Sequence, residues 1–156
     1  MENRKNLHDY GLALIFLGAL NLFMFVGTIV AGLVDGTFAK AFADVAPELL
    51  LATKITLGVV GALMGLLVFA DVLIGMKALK VSKNPNTDKG YITAAKVFFV
   101  LSVISAISAV VSLFDGSTPI VDGILNLANA ALGAAVYVLF VKAAQSVRRD
   151  VLNETK

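Results

Sequence analysis

Cysteine is absent from the 156 residues, and so is tryptophan. The first absence excludes disulfides, thiolate metal sites and cysteine nucleophiles. Histidine occurs once, as His8, ahead of the first apolar run, so a buried metal or haem centre has no imidazole to draw on. Charge is scarce too: 15% of the residues are Asp, Glu, Lys or Arg, against about 25% in ordinary soluble domains. The net charge of +2 gives no argument for a nucleic-acid partner. No Gly-rich phosphate loop, metalloprotease helix motif or paired catalytic acid is present either. Neither a catalytic residue set nor a bound cofactor is expected, and the chain reads as non-enzymatic.

What is there is apolar. Hydrophobic residues make up 58% of the chain, and the mean hydropathy is +0.87. A soluble chain of this size must wet its exterior and cannot hide so much apolar surface. A membrane-spanning helix needs about 20 mostly apolar residues. Four segments meet that length: residues 11–34, roughly 51–76, 92–114 and 120–141. The fourth is the least apolar, with Asp122, Asn126 and Asn129 in its first half. A lipid-facing sheet is excluded, because the runs are long and do not alternate and open edges cannot face lipid. The first run exceeds the length of a signal-peptide core, so it reads as a true span. The expected fold is an all-α integral membrane protein forming a single four-helix transmembrane domain.

Lys and Arg set the orientation. Arg4 and Lys5 precede the first span. Lys77, Lys80, Lys83, Lys89 and Lys96 lie in or beside the second connection. Lys142, Arg148, Arg149 and Lys156 follow the fourth span. Only Lys40 and Lys54 lie elsewhere, in or beside the first connection. Both termini and the central connection are therefore expected in the cytoplasm. That makes two in–out–in hairpins, about 9–76 and 91–142, with a cytoplasmic loop at about 77–90 and a cytoplasmic tail at 143–156. The tail is expected to continue the fourth helix, with Arg148 and Arg149 near anionic headgroups. Compact connections favour a prokaryotic plasma membrane.

The two hairpins resemble each other. Val30, Leu33, Asp35 and Gly36 recur as Val110, Leu113, Asp115 and Gly116. A duplicated hairpin explains this as a parallel internal repeat. Asp-Gly as a general helix stop explains it as well, since Gly past a helix end takes the left-handed cap. A third Asp-Gly at 122–123 fits the second explanation. The short outer connection carries Thr118 and Pro119 as start signals for the fourth span. The longer one places Phe38, Phe42, Val45 and Leu49 on one helical face and Lys40, Asp44 and Glu48 on another. Pro47 then restarts the chain. This pattern predicts a short interfacial helix on the outer surface.

Polar groups inside the spans are the candidate functional residues. Asp71 and Lys96 lie at similar depth toward the inner side, where an ion pair between adjacent helices would lower the cost of both. Asp71 also fits a gating or proton-relay carboxylate, and Lys96 can instead snorkel to the headgroups. Asn21, Asn126 and Asn129 are placed to hydrogen-bond between helices or to line a polar path. Gly58, Gly61 and Gly65 form a small-residue stripe on the second span, and Ser102, Ser105, Ser108 and Ser112 form one on the third. Such stripes let helix backbones approach closely, and the serines can also line water. Outside, Asp35, Asp44, Glu48, Asp115 and Asp122 form an acidic face able to concentrate cations, which positive-inside sorting also leaves behind. Two functions compete. One is assembly, as a homo-oligomer or as a small subunit of a membrane complex, with lipid, itself or other membrane subunits as partners. The other is a small channel or transporter for cations or a small polar solute.

Overall fold

In the computed structural model the described residues are 2–43, 45–114 and 120–154, without the side chains of Phe38, Ala41, Val60 and Met64. They are helical almost throughout, with no strand among them. The helices are α1 (Glu2–Val34), α2 (Thr37–Ala43), α3 (Pro47–Lys83), α4 (Gly90–Phe114) and α5 (Ile120–Glu154). Among the described residues α1, α3, α4 and α5 are long and apolar enough to cross a membrane. Contacts group the chain into two compact units, Met1–Ile15 with Leu73–Lys156, and Phe16–Val72.

The first unit holds the core. Its buried residues recur at three- and four-residue spacing: Leu7 and Leu14 either side of Gly11 on α1, Ile74, Ala78 and Val81 on α3, Ile92 and Ala95 on α4, and Tyr137, Phe140, Ala144 and Val147 on α5. Helical periodicity places each set on one face. The opposite faces are no less apolar. On α4, Val97, Val100, Leu101, Ile104, Ile107 and Val111 are exposed, and Phe114 is 89% exposed. A helix that is apolar all round belongs in a large core or in lipid. Only small parts of these helices are covered by the chain itself, so lipid is the medium that fits. Among the described residues the architecture is thus all-helical, with four helices long and apolar enough to span a membrane.

α4 and α5 pack antiparallel. Tyr91 meets Phe140 edge to face at 6.0 Å between ring centroids, Phe98 stacks on Tyr137 at 5.9 Å, and Leu113 lies against Gly123. α1 and α3 touch through glycine within the same unit. A Cβ built on Gly75 would stand 2.6 Å from the Gly11 carbonyl oxygen and 2.6 Å from Ile15 Cγ1. Only glycine allows backbones this close.

α3 continues seven residues past the expected end of the second span, because Ala78, Val81 and Ser82 are buried and hold its last two turns in the core. The non-helical connection is therefore short, and it is stitched by polar contacts. Lys77 Nζ pairs with Asp88 Oδ2 at 2.9 Å, and the Gly90 amide donates to Asp88 Oδ1 at 2.9 Å, capping α4. Arg148 Nε donates to the Thr87 carbonyl at 3.2 Å, and Asn3 Nδ2 donates to Asp150 Oδ2 at 2.9 Å. α5 does continue through the expected tail, to Glu154.

The second unit comprises the rest of α1 and α3 with α2 between them. α1 stops at Val34, and Gly36 takes the left-handed conformation (φ 73°) while the Thr37 amide donates to Asp35 Oδ1 at 2.8 Å. This first Asp-Gly is a helix stop followed by a cap for α2. The second, at 115–116, lies outside the described residues, as do Ser117, Thr118 and Pro119. α2 is shorter than the predicted interfacial stripe. It ends at Ala43, and Leu49 belongs to α3, so Phe42 and Leu49 do not share one helix face. Pro47 starts a new helix as expected. Lys54 Nζ sits 5.7 Å from the centroid of the Phe42 ring, a cation–π contact. Deeper in this unit, Gly18 lies against Asp71 and Val72.

Candidate functional site: a polar groove between α4 and α5

The antiparallel register of α4 and α5 brings two of the sequence-predicted sets together. Ser105, Ser108 and Ser112 from α4 face Asn126 and Asn129 from α5 across a groove of 230 Å³, floored by Ala109, Gly123 and Ala130. The small residues explain why the groove exists. Gly123 and Ala130 carry too little side chain to fill the gap, and Leu113 wedges against Gly123 at one end. Ser105, Ser108, Asn126 and Asn129 are all exposed. They open on a flank otherwise made of Ile104, Val111, Ile124 and Leu125, each more than half exposed. The arrangement offers hydroxyl and amide hydrogen-bonding groups and no titratable one.

Ser102 is not part of the groove. It is half-buried one turn away and donates to the Phe98 carbonyl at 2.9 Å. Thr28, Thr53 and Thr56 also return their hydroxyls to carbonyls of their own helix. Among the described residues no buried side-chain nitrogen or oxygen lacks a hydrogen-bond partner.

The remaining candidates fall in both units. Asn21 and Asp71 belong to the second unit, half-buried and 7% exposed respectively. Lys96 belongs to the first, where it lines a separate basic cleft. On α3, a Cβ added to Gly58 or Gly61 would meet nothing within 4 Å, and one added to Gly65 would reach Phe25 at 3.7 Å. The glycines at close helix contacts are Gly11, Gly18, Gly75 and Gly123, which the stripe on the second span did not point to. The seven-residue step from Gly11 to Gly18 is the signal that could have found two of them.

Of the acidic face, Asp35 caps α2, and its hydrogen bonds from Thr37 hold its carboxyl below the usual carboxylate range. Glu48 lies exposed in the first turn of α3 and Asp122 in the first turn of α5, where a carboxylate suits the positive helix end. Asp44 and Asp115 lie outside the described residues. Among the described residues, no group of three or more His, Asp or Glu side chains comes together.

Comparison with models of known families, with characterised proteins and with solved structures finds no match.

Proposed function

We propose that the chain is a non-enzymatic multi-pass membrane protein that works by helix–helix assembly, as a homo-oligomer or as a small subunit of a larger membrane complex. The polar groove between α4 and α5 carries this reading. Its Ser105, Ser108 and Asn126 groups open onto a flank whose other residues suit lipid, and hydrocarbon offers no hydrogen-bonding partner there. A second transmembrane helix laid in the groove would supply partners. The small residues at its floor would let that helix approach closely. Each interhelical hydrogen bond in a membrane contributes about 0.6 kcal/mol on average. Two or three give a preference, so the assembly should be sensitive to detergent. The open Gly58 and Gly61 positions on α3 fit a second contact of the same kind.

In this reading the spans form two in–out–in hairpins, α1 with α3 and α4 with α5, with both termini in the cytoplasm of a prokaryotic plasma membrane. The Lys and Arg distribution supports that orientation. The shared Val-x-x-Leu-x-Asp-Gly pattern supports a duplicated hairpin.

The second reading, a path for cations or a small polar solute, starts from the same groove, because polar groups enclosed by neighbouring copies would line water. The test separates the two. Mass measurement of the full chain in mild detergent should find more than one copy, and Ser108→Leu with Asn126→Leu should shift it toward one. Proteoliposomes of wild type and variant should both show background ion flux. A wild type that is a single copy on its own would overturn assembly as a homo-oligomer. Wild-type flux abolished by the same substitutions would favour the path.

A further inference from the structure

We propose that the cleft between the start of α4 and the end of α5 is a phosphate site, occupied by the headgroup of an anionic membrane lipid. Lys89 lines it from just before α4, Thr93 and Lys96 line it from α4, and Gln145, Arg148 and Arg149 line it from α5. Its volume of 390 Å³ falls within the roughly 300–1,000 Å³ of small-ligand sites. Four cations line it and no carboxylate does.

Neither Asp88 nor Asp150, the acids nearest in sequence, lines the cleft. Asp88 pairs with Lys77 at 2.9 Å, and Asp150 accepts from Asn3 at 2.9 Å. Among the described residues no carboxylate forms an ion pair with Lys89, Lys96, Arg148 or Arg149. Arg148 is held in place by its Nε bond to the Thr87 carbonyl. Holding like charges together without a counterion is unfavourable, and a phosphate with its several acceptor oxygens relieves it through charge-assisted hydrogen bonds.

Depth selects the lipid. Lys96 borders the uncharged run 97–114, so it stands at the edge of the hydrocarbon. Lys89 lies seven residues earlier, about 10 Å farther out at 1.5 Å per residue. The headgroup layer on each side of a bilayer is roughly 5–8 Å thick. The cleft therefore spans the lipid phosphates, and basic pockets between spans at that level bind anionic headgroups. The proposal rests on α4 and α5 crossing a bilayer. It does not depend on assembly, nor on which side the termini face.

The test is lipid retention by the full chain in native mass spectrometry, after exchange into micelles containing phosphatidylcholine alone or with phosphatidylglycerol. Wild type should retain phosphatidylglycerol at least ten-fold over phosphatidylcholine. Lys96→Gln with Arg149→Gln should lose that preference. Arg4→Gln with Lys80→Gln, which removes the same charge outside the cleft, should keep it. All four side chains are exposed, so folding should survive, as an unchanged thermal midpoint in lipid-free detergent would confirm. Thr93→Phe, which fills the cleft and keeps every charge, should also lower retention. Equal retention by wild type and the cleft variants would overturn the site. Inorganic pyrophosphate that stabilises wild type alone, with no lipid retained, would overturn the lipid as its occupant.

Discussion

The contact between Gly75 and α1 gives the sharpest test of how the core is held. In Gly75→Ala the new methyl would stand 2.6 Å from the Gly11 carbonyl oxygen and 2.6 Å from Ile15 Cγ1. Carbon normally keeps about 3.3–3.6 Å from a carbonyl oxygen and about 3.5–4.0 Å from another carbon. Roughly 0.7–1 Å must therefore be opened. One obstacle is helix backbone and the other a β-branched side chain with little rotamer choice, so neither can give way alone. α1 and α3 must part, loosening Leu14 against Ile74 and Ala78 in the same core. Overpacking of this kind costs about 1–3 kcal/mol, and the better helix propensity of Ala returns up to about 1 kcal/mol. The net loss is about 1–2 kcal/mol, or about 2–8 °C in thermal midpoint on the scale of soluble chains this long. Gly58→Ala is the control. Its added methyl meets nothing within 4 Å, so only the propensity gain operates. Both can be followed as the fraction that stays monodisperse in detergent after heating. Ile15→Ala in the Gly75→Ala background should recover part of the loss, since the two sites are coupled. Equal midpoints for Gly75→Ala and Gly58→Ala would refute the close-contact argument.

Topology and the α3–α4 connection offer two further outcomes. In this cysteine-free chain, Asn84→Cys should react with an impermeant maleimide only from the cytoplasmic side and Ala39→Cys only from outside; the reverse pattern would sink the orientation. The Asp88 carboxyl is held below the usual carboxylate range, first by its hydrogen bond with Lys77 and then by the Gly90 amide. A depressed folded-state value means that the clamp is fully present above the unfolded carboxyl value of about 3.9 and is lost only as pH falls through the lower folded value. The Gly90 amide resonance should therefore titrate with a midpoint below about 3.9 and stop titrating in Asp88→Asn. A midpoint at or above the unfolded value would contradict the clamp.

The four long apolar helices were legible because length and hydropathy are one-dimensional properties of a chain. The ends were less so. The second span was expected to finish near residue 76, but α3 runs to Lys83. The three lysines in its last turns, Lys77, Lys80 and Lys83, looked like a loop, whereas Ala78 and Val81 between them are fully buried. Lys77 and Lys80 stay exposed on the other face, which helical spacing permits. The interfacial stripe failed in the opposite way. Its apolar spacing was real, but Pro47 begins α3 and divides it. Ser105, Ser108, Asn126 and Asn129 were each singled out from sequence, but their meeting in one groove was not, because it depends on the α4–α5 register.

That register also shows why the packing glycines escaped notice. In water, a helix announces its buried face by alternating polar and apolar residues. In lipid both faces are apolar, and the periodic variable that remains is side-chain size. Gly11, Gly75, Ala78, Ala95 and Ala144 point inward, while Phe16, Phe23 and Phe114 point out. Glycines 58, 61 and 65 satisfy the same spacing rule on α3, but two of them face open space. A small-residue stripe thus marks where a backbone can be approached, without saying by what. Gly75 is approached by α1 of the same chain. The Gly58 and Gly61 face has the same licence without the neighbour, and a second copy or another membrane subunit is what assembly would bring there. Gly58→Leu therefore separates the two meanings. It should leave the monomer's thermal midpoint near wild type, since no neighbour stands in its way, and shift the subunit count in mild detergent downward. An unchanged count would leave the α4–α5 groove as the sole assembly surface in this proposal.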